Sequence, residues 1–431
     1  MLTIVKYTGQ PIEKLLNRAE EEKVNVTKQV NEIIDDIAKR GDEAISMYCE
    51  KFDGVKLSSF KVTQQEIDEA YAQIDSELLE TMKKSAENIY NYHEKQKRVG
   101  FVDNSTEGVM IGQRILPIKS VGLYVPGGTA RYPSSVLMNA IPAKIAGVTN
   151  RIVVTPSDKM GNVPQSILAA CKIADVTQVI KLGGVQAVAG LSYGTQTLPK
   201  VDKIVGPGNI YVATAKQICQ SRGLIDIDMI AGPSEILVIA DESANPNFVA
   251  ADLLSQAEHD VLAGAWLVTT SETLAEQVKF AVEKQLSTLS RKEIASKSIE
   301  DFGRILLVNS LEEAAELSNA IAPEHLELAV ADPFALLSLI TNAGSVFLGH
   351  YCAEPIGDYF AGPNHTLPTS GTARYASPLG VDDFIKRSSF LYYSKQAVQK
   401  VGEDVMRFAM AEGLEAHAKA IQWRLEGDKD A

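Results

Sequence analysis

The residues able to do chemistry in this chain are a few histidines, several carboxylates and one amide. In NFVAADLLSQAEH, residues 247–259, Asp252, Gln256 and His259 fall at i, i+4 and i+7. On a helix they share one stripe, with Phe248, Ala251 and Leu254 on another face. Gln256 and His259 can then converge on one point, and an amide oxygen with an imidazole nitrogen is an unusual but workable pair for a borderline cation. The plainer reading is a polar surface stripe. APEHLEL sets Glu324 beside His325, which is two proton-transfer groups in one place or else a solvated loop pair. Residues 353–375 are rich in Gly, Pro, Asn and Thr and carry Glu354, Asp358 and His365. A stretch that long and polar reads as a functional loop, its carboxylates and histidine serving as ligands or acid–base groups, or as a merely solvated one. His417 follows Glu412 by five residues, so the two sit about 140° apart on one ideal helix and touch different parts of a ligand rather than chelating together.

His93 and His350 have no informative neighbours and read as structural. Cys49, Cys171, Cys219 and Cys352 include no CxxC pair, which fits a reducing compartment better than a disulfide framework. Cys352, beside the polar loop, reads as a bystander. No GxGxxG follows the first expected strand. LGGVQAVAG and VGPGNIYVATAK do place glycines between a strand and a helix, where backbone amides hold phosphate.

The elements that must position these residues alternate. Residues 24–48 have Val30, Ile33, Ile34 and Ile37 at helical spacing, and 65–98 continue as polar-faced helices. This front third reads as helical and solvated. From residue 118 short β-rich runs alternate with helical stretches: strands near 118–128, 151–155, 178–182 and 203–205, then 236–240, 266–270, 304–308, 326–330 and 345–348. A helix over 247–259 would end on His259, and 396–425 reads as one long helical pattern. This alternation predicts two α/β modules on parallel sheets and a helical C-terminal extension. The net charge of −13 argues against a sequence-independent grip on nucleic-acid phosphates and against an anionic membrane surface. No run approaches a membrane span and the N-terminus lacks signal-peptide character, so the cytoplasm is the default location. The residues alone predict a metal-assisted α/β enzyme with acid–base groups and do not give its substrate.

A longer pattern narrows this. IDMIAGPSEILVIADESANPNFVAADLLSQAEH, Ile227 to His259, resembles the signature of the histidinol dehydrogenase family. Residues 121–148, 206–216, 322–328, 357–374 and the tail AEGLEAHAKAI are also similar to it. The resemblance implies an NAD-dependent, two-step oxidation of L-histidinol to L-histidine, the last step of histidine biosynthesis, with histidinaldehyde held between the steps. It implies one zinc per subunit, held by Gln256, His259, Asp358 and His417, and an acid–base pair, Glu324 and His325. Ser234 and Glu412 contact substrate together with His325 and the metal ligands, and Tyr124, Gln186 and Asn209 line the NAD site. Four mixed ligands leave an ion room for two substrate nitrogens, so zinc acts chiefly as a template.

The family's architecture is α/β: two Rossmann-like domains with parallel-sheet cores plus small helical extensions, in an intertwined homodimer with shared active sites. The implied domains are 1–24, an N-terminal helical extension; 25–121 with 237–380, a discontinuous domain on the metal and substrate side; 122–236 on the NAD side; and 381–431, which docks on the partner subunit. The alternatives are a zinc hydrolase of similar fold and a dehydrogenase of a different amino alcohol.

Overall fold

The computed structural model describes residues 2–16, 26–127, 131–230 and 232–427. Its strands, in chain order, are β1 (Thr3–Lys6), β2 (Phe101–Asp103), β3 (Val109–Pro117), β4 (Ser120–Tyr124), β5 (Asn150–Val154), β6 (Gln178–Ile180), β7 (Lys203–Val205), β8 (Asp226–Ile227), β9 (Glu235–Ala240), β10 (Gly264–Thr269), β11 (Arg304–Leu307), β12 (His325–Ala329), β13 (Ser345–Leu348) and β14 (Ile385–Tyr393). The chain divides into a larger unit, Met1–Gln96 with Ile118–Phe384, and a smaller one, Lys97–Pro117 with Ile385–Ala431.

The larger unit carries two parallel sheets, ordered β6-β5-β4-β7-β8 and β1-β11-β10-β9-β12-β13. Counted from β4, the first reads 3-2-1-4-5. Counted from β9, the second repeats that order with β1 added at its edge. Both orders are doubly wound, with a switch point where the winding reverses, at β4/β7 and at β9/β12. The central strands are mostly apolar because helices cover both faces: every residue of β4, β9, β10 and β12 is buried, with Glu235, His325 and Glu327 as the ionisable exceptions.

Two expectations about domains change here. The apolar stripe Val30, Ile33, Ile34 and Ile37 of the helix Val26–Arg40 shares a core with Ile152, Val154 and Ile180 of the five-stranded sheet. Met82, Ala86 and Ile89 of the helix Ser76–Glu94 likewise pack with Val121 and Leu123. Residues 26–94 therefore share their core with the five-stranded sheet, while Ser85 and Asn88 also donate to the carbonyls of Tyr359 and Phe360 at 2.6 and 2.8 Å, and their inner face is core rather than solvated. The N-terminal extension is not wholly helical either, because β1 pairs in parallel with β11. Ile12–Leu15 is helical as expected, and residues 17–24 lie outside the described residues.

A buried ion pair shapes the loop at the β4/β7 switch point. Lys216, 2% exposed, donates to Asp228 and to the Gly206 carbonyl at 2.9 Å, while the Gly206 N–H donates to Asp228 Oδ2 at 2.7 Å. Gly206 has φ 109° and a Cβ there would stand 2.2 Å from the Tyr124 carbonyl oxygen, so only glycine fits. Removing one partner of such a pair leaves a buried charge uncompensated. Asp228→Ala should cost about 3–5 kcal/mol, read as a lowered urea midpoint, and should raise the KM for the ligand of that crevice.

The smaller unit is an antiparallel sheet, β14-β3-β2, with the helices Lys395–Ala411 and Glu415–Glu426. The single helix expected over 396–425 is thus two, broken at Gly413 with φ 76°. The extension also opens with a nine-residue strand, β14, rather than being wholly helical. Among the described residues no helix is long and apolar enough to cross a membrane.

Candidate active site

A cavity of about 550 Å³ lies in the larger unit between the two switch points. The C-terminal ends of β4 and β7 supply Tyr124, Pro126, Pro207 and Asn209 to its wall. The six-stranded sheet presents the opposite, N-terminal, ends of β9 and β12, which supply Ser234, Glu324 and His325. Ala322, in the left-handed region at φ 51°, ends the helix Leu311–Ile321 and with Pro323 turns the chain into β12. His325 is therefore the first residue of a strand, and Glu324 and His325 are 6% and 4% exposed. They are not a solvated loop pair.

The backbone of one residue, Glu235, orients both side chains. The Glu235 N–H donates to Glu324 Oε2 at 2.9 Å, and His325 Nδ1 lies 3.0 Å from the Glu235 carbonyl oxygen. Since a carbonyl only accepts, Nδ1 carries the proton and Nε2 keeps its lone pair. Glu324 Oε2 is 3.7 Å from Nδ1, so the adjacent pair does not share a proton. Nε2 points into the cavity with no hydrogen-bond partner, and Gln256 Oε1 on the same wall also has none. Two orphaned buried acceptors facing one space suit a bound cation or a ligand's donors. Glu354 Oε1 and Asp358 Oδ1 each stand 3.9 Å from Nε2. These two carboxylates lie four residues apart on one helical turn and interact with each other. Among the described residues, His325, Glu354 and Asp358 form the one group of three potential His, Cys, Asp or Glu ligands, with donor atoms within 4.8 Å of one another.

Burial governs the electrostatics. It pushes the Glu354 carboxyl up to about 8, helped by the charge of Asp358, and Asp358 up to about 6. It holds Glu324 well above the usual carboxylate range. The same desolvation lowers His325 and His365 to about 4, so both imidazoles are neutral near neutrality. The signs oppose in stability. A neutral buried imidazole costs stability as pH falls from about 6.5 to about 4, because the unfolded chain takes up the proton first. A carboxyl raised on folding costs stability as pH rises from its unfolded value toward its folded one. Above about pH 6.5 the imidazoles no longer contribute, and at ~1.4 kcal/mol per pKa unit Glu354 should cost about 2 kcal/mol more by pH 8. Urea midpoints in EDTA should therefore fall over that interval. Glu354→Gln should flatten the fall, and an unchanged slope would refute the assignment.

The histidinol dehydrogenase family model matches residues 16–425. Histidinol dehydrogenase of Bacillus cereus is 53% identical over 404 residues, covering 94% of each chain. That of Listeria monocytogenes is 51% identical over 427 residues, 98% of this chain and 99% of the relative. The crystal structure of histidinol dehydrogenase from Elizabethkingia anophelis superposes with a TM-score of 0.94 at 41% identity, covering 99% and 98% of the two chains.

This chain belongs to the histidinol dehydrogenase family.

For this family member the expected site residues divide into three groups. Ser234, Gln256, His259, Glu324, His325 and Asp358 all line the one cavity, as do Tyr124 and Asn209. His259 is reached differently from the sequence expectation. The helix ends at Ala257, and the exposed His259 follows it in a turn, its N–H donating to the Gln256 carbonyl at 3.1 Å. Gln186 stands apart: it is buried and donates to Asp53 Oδ2 at 2.9 Å. Asp53 lines a neighbouring cavity of about 640 Å³ beyond the ends of β4 and β5, which also has Pro126 and Gly127 in its wall. Glu412 and His417 belong to the smaller unit and do not line the cavity. Because the helix breaks between them, the single-helix angle expected for that pair does not apply.

The polar loop is the other departure from expectation. Glu354, Asn364, Thr366 and Thr369 are buried, with Asn364 donating to the Met138 carbonyl at 2.7 Å and Thr369 Oγ1 accepting from Gly232 N–H at 2.7 Å. Its polarity satisfies backbone inside the unit rather than meeting water. Sequence reasoning missed the Glu235 backbone and Asp53, and it did not carry Glu354 into the ligand set. No local signal marks a peptide group or a carboxylate for burial.

Proposed function

We propose that this chain oxidises L-histidinol to L-histidine with two molecules of NAD⁺ in succession, retaining histidinaldehyde between the steps, as the last reaction of histidine biosynthesis. The observation that carries the reading is the pair of orphaned acceptors, Gln256 Oε1 and His325 Nε2, facing one cavity at a doubly wound switch point. Gln256, His259 and Asp358 would hold zinc there, with His417 as a fourth ligand. When bound, zinc would supply positions for the ring and amino nitrogens of the substrate, and NAD⁺ would supply the hydride acceptor for its carbinol carbon. His325 Nε2, held neutral with Nδ1 tied to the Glu235 carbonyl, takes the alcohol proton. Glu324 takes a proton from the water that adds to the aldehyde. Ser234 and Glu412 contact substrate. Tyr124, whose hydroxyl accepts from the Gly184 N–H at 3.0 Å, and Asn209, at the start of the helix Ile210–Ser221, line the dinucleotide site. Gln186 contributes to that site through its contact with Asp53.

The test is a stoichiometric assay with the purified protein, L-histidinol and excess NAD⁺. The reading requires two NADH per histidinol and L-histidine as product. No absorbance rise, or release of the aldehyde after one NADH, would refute it.

The same reading includes a homodimer in a cytoplasmic setting, which the free cysteines suit. The smaller unit exposes Leu391 at 72%, Phe408 at 71% and Trp423 at 67%, more large apolar surface than so small a unit keeps in water without a partner. A second copy docked there would receive Glu412 and His417 into its own site. Heterodimers of inactive His259→Asn and inactive His417→Asn chains should then recover activity, because one of the two sites retains both histidines. Mixed and refolded preparations that stay inactive would place each site within one chain.

A further inference from the structure

His325, Glu354 and Asp358 form a ligand set distinct from Gln256, His259, Asp358 and His417, with Asp358 common to both. Glu354 is 2% exposed and His325 4%. Tetrahedral bonds of about 2.1 Å place donor atoms about 3.4 Å apart, and the two separations from His325 Nε2 are 3.9 Å. All three donor atoms lie within 4.8 Å of one another, so side-chain adjustment of about an ångström or less from each would close the set on an ion. The Nε2 lone pair is free and fixed in direction, because Nδ1 is tied to the Glu235 carbonyl. That arrangement is the usual outer support of a metal-binding histidine. Glu354 is anchored from behind, its N–H donating to Glu327 Oε1 at 2.8 Å and its Oε2 accepting from Ser255 Oγ at 3.4 Å. One imidazole and two carboxylates match the charge of a divalent ion and suit zinc or manganese.

We propose that His325, Glu354 and Asp358 form a second, weaker zinc site, and that filling it inhibits the enzyme. An ion there takes the Nε2 lone pair that would otherwise receive the alcohol proton, and it draws Asp358 away from the first ion. The inference rests on the zinc reading above for its first ion and goes beyond it in the second.

Zinc titrated into the metal-stripped, full-length protein, followed by calorimetry and elemental analysis, should show two ions per chain in two affinity classes. Glu354→Gln should keep the tight class and weaken the other at least ~10-fold, the scale set by losing one charged ligand contact. His325→Asn should do the same, so the result does not depend on a single variant folding. Histidinol oxidation by the wild type should fall as the second class fills. One ion per chain at every zinc concentration would overturn the proposal. So would a second class whose affinity is unchanged in both variants, which would mark a surface site. No zinc bound at all would overturn the zinc reading of the whole cavity.

Discussion

Removing divalent metal should lower NADH formation from L-histidinol by ~10³-fold or more, the scale of losing a positioned substrate, and added zinc should restore it. The size of the effect follows from how little else in the cavity could hold a small amino alcohol. Its buried acceptors, Gln256 Oε1 and His325 Nε2, lack partners. Its carboxylates Glu354 and Asp358 interact with each other, and burial raises the pKa of both. Without a cation, burial keeps Glu354 protonated to about pH 8, so the pocket presents less negative charge to an ammonium group. With a cation, the same groups ionise and coordinate, which also makes binding release protons and tighten as pH rises. A chelated protein free of zinc by elemental analysis should therefore be inactive and recover in proportion to zinc added up to one ion per chain, at a lower zinc concentration at pH 8 than at pH 6. Full turnover by the stripped protein would end the template argument.

The second large effect separates the two half-reactions. His325→Asn should slow oxidation of the alcohol, and Glu324→Gln should slow oxidation of supplied histidinaldehyde, each by ~10²–10⁴-fold, the range for a lost general acid or base. The geometry supports separate roles although the residues are adjacent. Glu324 Oε2 is engaged by the Glu235 N–H and stands 3.7 Å from His325 Nδ1, while the histidine's free nitrogen is its other one, Nε2. Neither proton transfer has to pass through the neighbour. Glu324→Gln keeps the size of the side chain and His325→Asn keeps a donor for the Glu235 carbonyl, so the tightly bound zinc should be retained in each variant. Equal loss in both half-reactions for both variants would mean that the pair acts as one unit.

Cys352 bears on the same step. An aldehyde oxidised through a thiohemiacetal requires an activated thiol. Cys352 lines only small side cavities and not the one containing Glu324 and Ser234, in agreement with its reading as a bystander.

The chain's own order of residues determined a good deal. Alternating short apolar runs and helical stretches fixed the α/β class, because strands covered on both faces must be mostly apolar. The long motif from Ile227 to His259 and its companions identified the family. The resemblance also pointed to Glu324, His325, Gln256 and Asp358, which the fold brings to one cavity, whereas their types and spacing by themselves left a solvated reading open.

Tertiary structure decided the rest. Only the folded chain shows that the front helices cover the five-stranded sheet, because an amphipathic stripe such as Val30–Ile37 states that it is buried and not against what. Only the fold turns the N-terminal ends of β9 and β12 toward the C-terminal ends of β4 and β7, and only the pairing of β9 with β12 brings residues 90 positions apart within hydrogen-bonding distance at the Glu235 backbone. The polar loop 353–375 read as functional or as solvated because polarity is a local property; the fold puts Asp358, His365 and Thr369 on the cavity wall, and the backbone groups that Asn364 and Thr369 satisfy are supplied by distant segments. Glu354 shows the same limit most plainly. Its type and spacing made it a candidate, but its near-complete burial beside the lone pair of His325 follows from packing that no local pattern encodes.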